Sequence, residues 1–178
     1  PADSKRPLAP SGMLCAPDLL AGGLVYEDAF VKVCAFENCH YHSDPAADAR
    51  NPLDKSFTLR IQTRDRVIVF SGDTGKCAGL VDFVRGADML IHEVVDLPLI
   101  EQRLRRGRPQ DAESLLRHMA HEHTTPEDVG RLAEAAGVKQ LVLSHVLPGG
   151  GEPDSVYVDG ARRHFKGPII VARDLMVF

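Results

Sequence analysis

Apolar and polar positions alternate over 29–36 (Ala-Phe-Val-Lys-Val-Cys-Ala-Phe) and again over 56–62, which predicts two strands with one buried face each. A polar turn at Thr63-Arg64-Asp65-Arg66 leads into the apolar run Val67-Ile68-Val69-Phe70, the pattern of a hairpin. From there the pattern becomes strand, helix, strand. Leu80, Val81 and Val84 within 78–85 give a helix with one apolar side, closed by Gly86, and 88–91 forms the next strand. Residues 100–121 read as helical with a break at Gly107-Arg108-Pro109. Thr125-Pro126-Glu127-Asp128 is a helix start: Thr caps, Pro occupies the first turn, and Asp128 stands where a box-like cap needs an acid. That helix turns Val129, Leu132 and Ala136 inward, stops at Gly137 and feeds a strand at 140–143. A last helix over 155–165 is weakened by Gly160, and strands at 169–172 and 175–178 flank a turn at Arg173-Asp174. Residues 1–23, rich in Pro and Gly, read as an irregular arm, and 38–55 as a long loop.

A chain of 178 residues, 44% of them hydrophobic, can bury one sizeable core, so a single α/β unit over 24–178 is expected beyond the arm. The net charge of -4 gives no general surface for nucleic acid or anionic membrane. The one basic run, Arg103-Leu104-Arg105-Arg106-Gly107-Arg108, is short and reads first as a solvated helix end. No apolar stretch approaches the roughly 20 residues of a membrane span, and the N-terminus lacks a secretory pattern. Cys15, Cys34, Cys39 and Cys77 form no Cys-x-x-Cys pair, so reduced cysteines and a cytoplasmic setting are expected, without cysteine-held zinc.

Chemistry enters at the strand ends. Asp73, the pair His92-Glu93, and His145 each follow an apolar run directly, and groups past the carboxyl ends of strands in an open α/β sheet converge on one crevice. Asp73 can be a helix cap or a carboxylate offered to a metal. His145 can be a hydrogen-bonded structural residue or a ligand. Glu93 is costly to bury unpaired and needs a partner, which the cluster His118, His121, Glu122, His123 offers. His123, just past its helix, can be aimed into a cleft. His40 and His42, two apart, point the same way on extended chain and can share an ion or stand on the surface. No Walker loop and no His-Glu-x-x-His motif is present.

The ordered set Phe-Ser-Gly-Asp-Thr-Gly, Ala-Asp-Met-Leu-Ile-His-Glu-Val, His-Glu-His-Thr-Thr-Pro-Glu-Asp-Val-Gly and Leu-Val-Leu-Ser-His resembles the metallo-β-lactamase superfamily, nearest to its ribonuclease Z and arylsulfatase-like branch. The resemblance implies that Asp73 bridges two zinc ions, that His145 is the last histidine ligand, and that His40 is the middle one, with His42 second choice. It implies that His123 assists proton transfer to the leaving group and that Glu93 orients it. The family's His-x-His-x-Asp-His motif is absent, so the chain looks like the C-terminal half of an αββα sandwich: one mixed sheet with helices on one face. The expectation is an apolar sheet face completed by a missing N-terminal half, another chain or a second copy in a homo-oligomer. Zinc binding by this chain alone is expected to be weak or absent, and hydrolysis absent. A small phosphodiester, sulfate ester or lactone is favoured over tRNA, because no basic arm is visible. The competing expectation is a non-catalytic αβ module that dimerises through its open sheet and binds an anion at an Asp73-Thr74 helix start.

Overall fold

The computed structural model describes residues 22–41, 54–149 and 151–178. Four strands form an antiparallel meander: β1 (Gly23–Glu27), β2 (Val31–Glu37), β3 (Phe57–Thr63) and β4 (Val67–Phe70). Short polar side chains close its tight turns. The Asp28 carboxylate accepts from the Phe30 and Val31 amides at 2.8 Å each, and the Thr63 hydroxyl oxygen accepts from Asp65 and Arg66.

After β4 the connections become helical crossovers and the pairing turns parallel. The sequence runs α1 (Leu80–Val84), β5 (Met89–Val95), α2 (Leu97–Gly107), α3 (Ala112–Glu122), α4 (Pro126–Ala136), β6 (Leu141–Leu147), α5 (Ser155–Arg162) and β7 (Ile169–Val171). The result is one seven-stranded mixed sheet in sequence order. The capping chemistry of α4 is as its sequence predicts: the Thr125 hydroxyl accepts from the Asp128 amide at 3.4 Å and donates to its carboxylate at 2.9 Å, and Gly137 leaves the helix at φ 63°.

The main core lies on one face of the sheet, where Val69, Leu90, Val94, Leu141 and Leu143 meet Leu80, Val84, Val129, Ala133 and Ala136. Helices α4 and α5 approach closely because two glycines face the contact. A Cβ on Gly130 would stand 2.8 Å from the Ala161 Cα and closer still to its carbonyl, while one on Gly160 would stand 2.7 Å from the Pro126 Cβ. A Gly130→Ala variant is therefore expected to lose about 1–3 kcal/mol through overpacking, read as a lower urea midpoint with an unchanged slope.

The other face is apolar and thinly covered. The register sets Leu59 opposite Phe70, Ile61 opposite Ile68, and Phe70 opposite Ile91. Leu59 and Phe70 remain 37% and 41% exposed side by side, a contiguous patch of the kind that soluble proteins usually cover.

Three sequence expectations change. A strand, β1, begins where the arm was expected to end, since it owes its place to pairing with β2 rather than to its own alternation. The 175–178 segment is not a strand: Met176 closes a turn onto Arg173, Leu175 stands at φ 66°, and no strand among the described residues pairs with this stretch. Strand β5 continues through His92 and Glu93 to Val95, because both polar side chains find partners inside the fold. The expected arm, apart from residues 22 and 23, lies outside the described residues, as does 42–53 of the long loop.

Candidate functional site

The carboxyl ends of β4, β5 and β6 and the end of β2 meet at one rim. The β4–α1 loop is fixed there by backbone and hydroxyl bonds. The Ser71 amide donates to the Ile91 carbonyl at 2.9 Å, the Glu93 amide donates to the Ser71 hydroxyl at 3.1 Å, and the Asn38 side-chain amide donates to the Ser71 carbonyl at 2.9 Å. Gly72 makes the turn at φ 62°, where a Cβ would come within 2.8 Å of the Phe57 carbonyl oxygen. Asp73 follows, with its backbone carbonyl held by the Ser56 hydroxyl at 3.1 Å and its side chain 41% exposed.

His145 comes to Asp73 through an irregularity in β6. Pairing with β5 shifts register between Glu93 and Val94, so His145 is the extra residue opposite that step, at φ 40°. A bulge of this kind re-aims a side chain. The His145 Nε2 stands 3.5 Å from an Asp73 carboxylate oxygen.

The third element is the end of α3. His123 is its C-cap, in extended conformation, and its Nδ1 stands 3.3 Å from Glu93 Oε2. The other Glu93 oxygen accepts from the Thr124 amide at 2.8 Å, so the carboxylate, only 1% exposed, is satisfied within the fold. The His40 Nδ1 donates to the Glu122 carbonyl at 3.0 Å, which leaves its Nε2 as the free lone pair. Ring centroids of His40 and His123 lie 5.3 Å apart, and those of His123 and His145 lie 5.9 Å apart. His40, Asp73, Glu93, His123 and His145 thus share one site, from four separate stretches of chain. His42 lies outside the described residues.

Neighbouring histidines divide by direction. His92 points into the helix-covered core with no exposure; its Nδ1 donates to the Glu93 carbonyl at 2.7 Å, and burial holds its pKa below the usual range. His118 pairs with Glu122 along α3 at 3.0 Å.

Burial opposes charge on His123, but the hydrogen bond and charge of Glu93, with Asp73 and Glu122 behind it, carry its pKa above the ordinary 6.5. A raised folded value stabilises the fold fully below the unfolded pKa and loses that contribution as pH rises through the folded one. Stability should therefore fall as the pH is taken above 6.5, and a His123→Gln variant should flatten that slope in urea titrations at several pH values.

Two expectations are overturned here. Asp73-Thr74 does not start a helix: α1 begins at Leu80 and has only five residues, so an anion site on its N-terminus is not formed. Cys39 and Cys77 are not both reduced but joined in a disulfide across 38 residues. Spacing rules register local cysteine patterns, whereas this pair meets because β2 and β4 end at the same rim. Asn38, which ties the two loops beside that pair, was also missed; a buried amide after a strand carries no distinctive sequence signal.

No family model matches the chain. Among curated proteins, a ribonuclease Z of Mycobacterium sp. (strain KMS) is 30% identical over 132 residues, covering 74% of this chain and 44% of its own length. The YhfI structure from Bacillus subtilis, a metallo-β-lactamase fold protein, superposes with a TM-score of 0.61 at 18% identity, covering 88% of this chain and 52% of that one. The chain has the metallo-β-lactamase fold. Human tRNase Z, short form, has a TM-score of 0.55 at 22% identity over 89% of this chain and 45% of its own. The chain therefore spans about half the length of the relatives it matches. Since curated relatives bear the name ribonuclease Z, the comparisons give no support to the preference for a small ester over tRNA.

Within this fold the donor set fits part of a zinc centre. Imidazole and carboxylate are suitable ligands, the Asp73 and His145 donors lie within one coordination sphere of each other, and His40 presents a lone pair fixed by its carbonyl partner. Among the described residues, however, no group of three or more His, Cys, Asp and Glu is arranged to hold an ion. No helix among the described residues is long and apolar enough to cross a membrane.

Proposed function

We propose that this chain supplies part of the active site of a metal-dependent hydrolase acting on an ester-type bond. The carrying observation is the meeting of Asp73 and His145 at 3.5 Å beside the paired His123 and Glu93. In this reading Asp73, His145 and His40 hold zinc together with ligands from outside the chain, and His123 with Glu93 manages protons. When bound, zinc would supply positive charge that activates water and stabilises a developing oxyanion.

The chain's own residues have separable tasks. The Glu93 carboxylate holds Nδ1–H of His123, which sets the tautomer and keeps the imidazolium available as a proton donor to a leaving oxygen. The Glu122 carbonyl accepts from Nδ1–H of His40, which sets that ring's orientation and presents Nε2 as a ligand atom. Asp73 faces His145 from a fixed loop and His145 answers from the bulge within β6, so little reorganisation is needed to receive an ion.

The relatives' names favour a phosphodiester as the bond attacked, and the open Leu59–Phe70 face supports completion of the sandwich by a further segment or chain rather than by solvent. Zinc is the metal suggested by the Zn(2+)-bound PqqB structure, which shares the fold with a TM-score of 0.53. The isolated chain is expected to hold zinc weakly and to turn over no substrate. The test is hydrolysis of bis(p-nitrophenyl) phosphate by the chain alone and by the completed protein, each with added zinc. Turnover by the completed protein alone is the expected result, and no turnover by either would remove the proposal.

A further inference from the structure

We infer that Cys39–Cys77 is a reversible thiol–disulfide site that locks the loop carrying His40 to the loop carrying Asp73. The inference stands apart from the hydrolase reading, since it concerns the order of two loops and not turnover.

Placement is the first argument. Cys39 adjoins His40, and Cys77 lies four positions after Asp73. Apart from the disulfide, the Cys39 amide meets the opposite loop only through a long 3.4 Å bond to the Thr74 hydroxyl. That hydroxyl also lies 3.7 Å from the Cys77 sulfur. The Asn38 amide joins the two loops at their strand ends, through Ser71, and the His40 ring is held by Glu122, so beyond Asn38 the disulfide is the firm cross-tie. The disulfide is therefore the one covalent restraint at the stretch from Cys39 to Cys77.

Access is the second argument. Both cysteines are half-buried rather than sealed. Cys77 lines a cleft of about 260 Å³ between α1 and α4, walled by Leu80, Val81 and Leu132 with Lys76 at its side. The Lys76 ammonium at the cleft is paired with the Asp128 carboxylate at 2.6 Å. A small dithiol fits a space of this size.

The exchange balances with a dithiol as the reductant. Its thiolate attacks the Cys77 sulfur, the S–S bond breaks, and Cys39 leaves as a thiolate that takes up a proton. The reductant's second thiolate then displaces Cys77, which is protonated in turn. The dithiol gives up two electrons and two protons and closes to its own disulfide, leaving two thiols on the protein. Reduction frees Cys39 and its neighbour His40 from the 74–77 stretch, whereas the sheet, held by its own ladder, is unaffected.

The test uses the full chain purified without reductant, with dithiothreitol as the probe. After alkylation under denaturing conditions and digestion, Cys39 and Cys77 should appear as one linked peptide pair, with Cys34 alkylated as the internal control. Incubation of the folded protein with dithiothreitol should make both alkylatable. Amide exchange at 39–40 and 74–77 should then accelerate by about tenfold or more, as expected where local opening is freed, while Leu90, bonded to the Gln140 carbonyl, stays as slow as before. A Cys77→Ser variant should match the reduced wild type and ignore dithiothreitol. The inference fails if Cys39 and Cys77 are both alkylated before reduction, or if exchange at these two stretches is the same in both redox states. Both of those readings come from the wild-type chain, so they hold even if the variant does not fold.

Discussion

An Asp73→Ala substitution is expected to lower the zinc affinity of the completed site by more than about 100-fold, since loss of even an outer partner costs about 10–100-fold. Asp73 faces His145 at 3.5 Å and is, among the described residues, the carboxylate ion-paired with that imidazole. The fold should survive. The side chain is 41% exposed, while the loop is held by Gly72, Ser71 and the Asp73 backbone carbonyl, none of which the substitution removes. Stability should therefore change by no more than about 0.5 kcal/mol, the usual range for surface positions. Competition against a chromophoric chelator reads the affinity, and urea unfolding reads the stability. Unchanged zinc affinity in a folded variant would remove Asp73 from the site.

Glu93→Gln should act on protons instead of metal. Glutamine keeps one oxygen for the Thr124 amide, but the charge that raises the His123 pKa is gone. If His123 donates a proton to the leaving group, turnover should fall by about 10²–10⁴-fold, the usual span for a general acid or base. Turnover by a protonated acid declines as pH rises through its pKa. Removing the Glu93 charge lowers that pKa, so the alkaline limb of the profile should move to lower pH, with zinc content unaltered. An unmoved limb would assign Glu93 to structure alone.

The parts legible in the sequence were those whose cause is local. The Thr125 cap and Gly137 stop of α4, the break after Gly107, and the β3–β4 hairpin are each written into a few neighbouring residues. Asp73, Glu93 and His145 could be singled out because apolar runs in β4, β5 and β6 lead into a charged or imidazole side chain, although β5 and β6 themselves run on to Val95 and Leu147. What was not legible depends on contacts across the fold. The β1 strand exists through its pairing with β2, the bulge that re-aims His145 exists only relative to β5, and Cys39 finds Cys77 because two strands end together. His92 is the sharpest case. It adjoins Glu93 in sequence, yet strand alternation sends it to the opposite face, into the core.

The most direct measurement is native mass together with zinc content for the chain joined to the segment or partner that covers its Leu59–Phe70 face. About two zinc ions per complete unit, the number a paired-ion hydrolase holds, with loss of that zinc in the Asp73→Ala protein, is the result this account predicts. A complete assembly that carries no zinc, or one whose zinc is indifferent to Asp73, would contradict it.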